Sequence, residues 1–231
     1  LPVRQAKAAA AIMRRVCGTM AFLATRLDAR SSDRACQGQP LPDHIVPMAM
    51  LVFLDFEASS LGKRSYPIEV GWAFEDGRSE AHLIRPAPGW TDWDAGAQAI
   101  HGISRDELTA EGAAHDAVAN RMIEVLSGHD LVASAPSWDG KWLSTLLRAA
   151  GLPRHSLRLR DSDDAHRECA LAILSPAISP DRLEDAVAQV LALSELRAPN
   201  EEPAHRALAD AKEERARWLA VQAKARKLVA G

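Results

Sequence analysis

Apolar and polar positions alternate in short blocks along this chain, and the blocks change period as they go. Leu51–Phe56 is a compact apolar run bounded by acidic and small residues, the pattern of a buried strand. Ile68–Glu75 and Glu80–Arg85 read as two further strands joined at the Asp76-Gly77 turn. A loop holding Pro86, Pro88 and Gly89 follows. Ala114, Ala117, Val118, Met122, Val125 and Leu126 then recur at helical spacing, and Gly128 is placed to close that helix. Leu131–Ser134 reads as a fourth strand and Trp138–Ala150 as a helix stopped by Gly151 and Pro153. Leu157–Arg160 reads as a fifth strand. Helices are expected over Ala165–Leu174, Pro180–Leu193 and Ala204–Val229. Three strands in a meander, then helix, strand, helix, strand and helices, describe an α/β layered domain.

The first 47 residues differ from the rest. The stretch up to Leu27 carries five basic residues and no acidic ones, and it breaks into SSDRACQGQPLPDH. It reads as an N-terminal extension: an artefact of gene-start choice, a disordered or helical arm, or an acid-poor targeting segment. Residues 48–231 then form the domain proper. At 231 residues and 47% apolar, the chain suffices for one sizeable core. Three cysteines without a CxxC pair support neither a disulfide framework nor a zinc site. The expected compartment is the cytoplasm, and no apolar run reaches the ~20 residues that span a bilayer. The net charge of -3 is unusual for a nucleic-acid binder, but two bound divalent cations would reverse its sign locally.

The acids carry the chemistry. Residues i and i+2 of a strand share a face, so Asp55 and Glu57 project together from the end of the first strand, with Val52, Leu54 and Phe56 on the other face. Two acids there are costly unless a cation compensates them, and oxygen ligands without thiols favour Mg²⁺ or Mn²⁺. The bland alternative is two solvated acids at a strand end. Asp139 stands at the start of a helix, where an acid also suits the macrodipole. His205 and Asp210 are five apart, about 140° on an ideal helix. His205 therefore belongs in the loop or first turn, and Asp210 on the helix. That arrangement suits a fixed ligand with a mobile base, since an imidazole titrates near neutrality. Two-metal phosphodiester hydrolysis would place Asp55 as the bridging ligand. Glu57 and Asp139 would complete the shells, Asp210 would hold the nucleophile-side ion, and His205 would take the proton of water.

Taken together, D-F-E-A-S-S-L, the W-D pair at Asp139 and H-R-A-L-A-D from His205 resemble the three motifs of the DEDD-type 3′–5′ exonuclease superfamily, His subclass. That group includes proofreading subunits, ribonuclease T and oligoribonuclease. Ile100–Ser104 is similar to the HGI element between those motifs. The resemblance covers roughly residues 51–220. It implies a ribonuclease H-like three-layer fold with a mixed five-stranded sheet flanked by helices. It implies two divalent cations, Mg²⁺ or Mn²⁺, and single-stranded DNA or RNA, or short oligonucleotides, as substrate. Asp55, Glu57, Asp139 and Asp210 are the implied metal ligands, and His205 is the implied base. A homodimer and a polymerase or other protein partner are also seen in that group. An accessory subunit of a polymerase complex and a silent nucleic-acid-binding domain are the competing readings. Two departures concern substrate handling: the run Ser134–Trp138 before Asp139 holds no Asn, where many members have one, and Ser60 stands where many members have Gly. Ala58, Ser59 and Leu61 are expected near the 3′ end, His101 near a phosphate, and Trp90 and Trp93 either against bases or as a lid over the sheet edge. The basic residues of the last helix are expected on a solvated face.

Overall fold

The computed structural model describes residues 49–194 and 205–231, so the N-terminal extension lies outside the described residues. Strand β1 (Leu51–Ala58) is the axis of the fold. It pairs antiparallel with β2 (Pro67–Phe74), which pairs antiparallel with β3 (Ser79–Arg85). Two short helices follow, α1 (Ala95–His101) and α2 (Arg105–Ala110). The two-residue strand β4 (Ala113–Ala114) leads into helix α3 (His115–Leu126). Strand β5 (Asp130–Ala133) lies parallel to β1 on its other side, followed by α4 (Pro136–Ala149). Then come β6 (Leu159–Asp161), α5 (Ser162–Leu174), α6 (Pro180–Ser194) and α7 (Ala207–Ala230).

The sheet order is β4-β3-β2-β1-β5-β6, six strands of mixed direction. The five strands read from the sequence are all present. The count of five is corrected by β4, whose two alanines have no alternation to betray them and which owes its place to pairing with Ile84 and Arg85.

Helices cover both faces, and the pleat of β1 decides what each face buries. Val52, Leu54 and Phe56 meet Trp72, Met122, Leu126, Trp142 and Leu146 in the main core, under α3 and α4. The opposite face carries Phe53, Asp55 and Glu57. Its apolar end is closed by Val132, Ala165 and Trp218, so α5 and α7 cover it. Helices α5, α6 and α7 share a second core around Leu174, Val187, Val190 and Val221. Among the described residues, no helix is long and apolar enough to cross a membrane.

The last helix starts at Ala207, three residues later than its sequence pattern suggests. Its basic residues are not all on a solvated face. Arg215 donates two hydrogen bonds to the Glu75 carbonyl, and Arg217 pairs with Asp163. Those bonds tie α7 to the end of β2 and to α5.

Candidate functional site

The acidic end of β1 is almost fully enclosed. Asp55 and Glu57 are each 4% exposed, on the face that receives α7. Register brings Asp55 opposite Gly71 and Glu57 opposite Glu69 in β2. Immediately after Glu57 the register slips, which bends the strand end and re-aims the residues beyond it.

Gly71 is the reason the helix can come so close. A Cβ at this position would stand 2.6 Å from the Ala207 carbonyl carbon and closer still to the Leu208 backbone. With only hydrogen there, the first turn of α7 rests on the sheet beside Asp55. Asp210 lies in that first turn. One oxygen each from Asp55, Glu57 and Asp210 falls within 4.8 Å of the others. Three carboxylates this close repel unless a proton or cation joins them, and enclosure strengthens the repulsion. The donors are all hard oxygens, so the residues present fit Mg²⁺ or Mn²⁺.

Asp139 is fully buried in the first turn of α4. Because β5 runs parallel to β1, that turn begins at the end of the sheet where Asp55 and Glu57 stand. Asp139 is not among the three acids of the tight cluster. His205 is half-buried and lies outside the helix, as its spacing from Asp210 required. Its φ of 43° is in the left-handed region, a conformation histidine tolerates better than most residues.

His101 closes α1 and is 4% exposed. Its Nδ1 accepts the Ile103 amide at 3.0 Å, so the neutral ring carries its proton on Nε2. Burial, above all, pushes the imidazole down to about 4, with the nearby Glu69 carboxylate opposing and Arg206 reinforcing the shift. His101 is therefore a neutral donor near pH 7.

The loop after β1 is pinned from several sides. Ser60 donates to Asp92 and accepts the Gly62 amide, so this serine shapes the turn. Lys141 donates to the Gly62 carbonyl at 2.6 Å and to Ser65 Oγ at 2.8 Å. Ala58 and Ser59 are buried, and Ser59 Oγ accepts the Tyr66 amide. Leu61 is half-buried against the main core. Trp90 stacks on Tyr66 with ring centroids 5.0 Å apart, and Trp93 Nε1 donates to Gln98 Oε1 at 2.8 Å. Both tryptophans pack on the small core of Tyr66, Ile68, Ile103 and Leu108.

Two residues of this site lie outside every motif, Glu69 and Gly71, and a third, Arg206, fills an unspecified place within the last one. A charged residue and a glycine inside the apolar run PIEVGWAF are the signal, since each is out of place in a buried strand unless something approaches closely.

No protein-family model matches the sequence, and no curated protein matches it. Solved structures do. Exonuclease I of E. coli, in complex with a dT13 oligonucleotide, superposes with a TM-score of 0.55 at 19% identity, over 78% of this chain and 42% of that one. The zinc-bound form of the same enzyme with single-stranded DNA gives 0.53 at 20% identity, over 73% and 39%. A moderately thermophilic exonuclease I from Methylocaldum szegediense gives 0.52 at 17%, over 74% and 40%. The fold is shared with exonuclease I. The ribonuclease H-like architecture expected from the motifs is thus present. The chain spans about two-fifths of the length of these exonucleases.

Proposed function

We propose that this protein is a divalent-metal-dependent 3′–5′ exonuclease acting on single-stranded nucleic acid. The observation that carries the reading is the convergence of Asp55, Glu57 and Asp210 within 4.8 Å, from a strand and a helix far apart in sequence. The shared fold supports it. Single-stranded DNA is the first polymer to test, since exonuclease I was crystallised with it.

Asp55, Glu57 and Asp210 would hold the cations, with Asp139 completing the set from α4. Two Mg²⁺ or Mn²⁺ ions bound there would supply charge neutralisation at the scissile phosphate and a more acidic attacking water. The protein's own task is to orient and to move protons. His205, in the segment just before α7, takes the proton from water. His101, held neutral, donates Nε2–H to a phosphate oxygen, positioning the strand without adding charge. Leu61 presents an edge to the 3′ terminus, and the buried Ala58 and Ser59 stiffen the chain behind it, because that loop is already bonded. Trp90 and Trp93 lie beside that edge.

The test uses 5′-labelled single-stranded DNA and RNA incubated with Mg²⁺, Mn²⁺ or chelator, with an Asp55→Ala control. A ladder shortening from the 3′ end, present only with metal and absent in Asp55→Ala, is the expected result. No ladder on either polymer with either metal would overturn the proposal. Full activity in His205→Ala would remove the assigned base.

A further inference from the structure

Glu69 points to the same side of the sheet as Glu57, directly across from it. Like charges opposed in this way destabilise a sheet, and at 3% exposure Glu69 has little water to screen it. The carboxylate is instead fully engaged by the start of α7. Its Oε1 accepts Arg206 Nη2 at 2.7 Å and Nε at 3.0 Å. Its Oε2 accepts Arg206 Nε and the Ala207 amide, each at 3.0 Å. In return, Glu69 raises the affinity of the Arg206 guanidinium for its proton.

The place of these bonds gives them their meaning. Arg206 and Ala207 lie between His205 and Asp210, the two residues of α7's approach assigned to the chemistry. Helix α7 has no side-chain cap of its own. Its first amide is capped from the sheet, 138 positions away in sequence. Two residues on, Gly71 sets how near the helix comes. Distance is thus fixed by Gly71, and rotation and register by Glu69.

We infer that Glu69 and Arg206 are a positioning pair, which holds the first turn of α7 so that Asp210 and His205 meet Asp55 and Glu57. The inference rests on the nuclease reading for its consequence, but the clamp itself is measurable without activity. Neither residue is among the three acids of the tight cluster. The fork geometry matters: a lysine at 206 would supply charge without the bidentate pairing.

The variants are Glu69→Gln and Arg206→Lys in the full chain. Hydrogen exchange of the metal-free protein should show faster exchange in peptides covering 205–211, with the strands unchanged. Calorimetric titration with Mn²⁺ alone should show affinity weakened about 10-fold or more, as is usual when the support of a metal ligand is removed. On labelled single-stranded DNA, kcat should fall by about 10- to 100-fold with KM little changed. Unaltered exchange at 205–211 in both variants would overturn the clamp. So would a raised KM at unchanged kcat, which would make Arg206 a substrate contact. Should Glu69→Gln fail to fold by circular dichroism, Arg206→Lys carries the test, since the guanidinium side is 45% exposed and its loss leaves no buried cavity. A wild type that binds Mn²⁺ but cuts nothing would sink the nuclease reading. The exchange and calorimetry would still decide the clamp.

Discussion

Gly71 and His101 show how single residues bear on this site without being ligands. Adding a methyl group at Gly71 drives it into the backbone of Ala207 and Leu208, which cannot rotate away as a side chain can. Gly71→Ala should therefore cost about 1–3 kcal/mol of stability, the range of overpacked cores. It should also weaken Mn²⁺ binding, both read from thermal melts and calorimetry. A melt identical to wild type would show that α7 is free to move outward. His101 makes a prediction in pH. Its folded pKa of about 4 lies below the ordinary 6.5 because it is buried. Between those values the unfolded chain binds a proton that the folded one refuses, so stability falls as pH drops through that window and the cost is absent above it. Denaturant midpoints followed from pH 7 to 4 should fall less steeply in His101→Gln. At this scale the sequence was informative where a residue's neighbours were local. Asp55, Glu57, His205 and Asp210 stood out by strand and helix spacing. Glu69 did not, because its partner lies 137 positions away and no spacing rule connects them.

Among the elements, α1 and α2 were missed, and the reason is their length. Seven and six residues give too little periodicity to read. Their caps were the available signal. Asp94 accepts the Gly96 and Ala97 amides. Ser104 and Glu107 form a reciprocal capping box, spelled S-x-x-E in the sequence. These helices carry Ile103, Leu108 and His101 to the edge of β2, and Trp90 and Trp93 lie over them. The stacking of Trp90 on Tyr66 sharpens the choice between lid and base platform. Trp90→Ala should lower the stability of the nucleic-acid-free protein by about 2 kcal/mol, since it removes both packing and an aromatic pair. Unchanged melting with a raised KM would instead assign that ring to the substrate.

For the molecule as a whole, the strands and the order of helices followed from apolar blocks, because a buried strand and a half-buried helix leave different periods. The two-residue β4 left none. What no pattern supplied was the fit of one face of the sheet to α7, which arises only in three dimensions. That fit makes the acidic cluster a structural element as well as a chemical one. Cations that bind the folded cluster and not the unfolded chain stabilise by mass action, about 2.7 kcal/mol at a hundredfold excess over Kd. Mn²⁺ should therefore raise the melting temperature and chelator should reverse it, while Asp55→Ala should abolish the response. A metal-independent melt in the wild type would contradict a folded-state site built from these acids.

The two sides of the cluster are also synthesised at different times. Asp55 and Glu57 leave the ribosome with β1, and Asp210 follows about 150 residues later. At roughly 5–20 residues per second that interval is on the order of ten seconds or more. During it the nascent chain holds two acids without their partner. Only when α7 seats against Gly71 do the three acids come together, so the cluster belongs to the folded chain and to no N-terminal part of it.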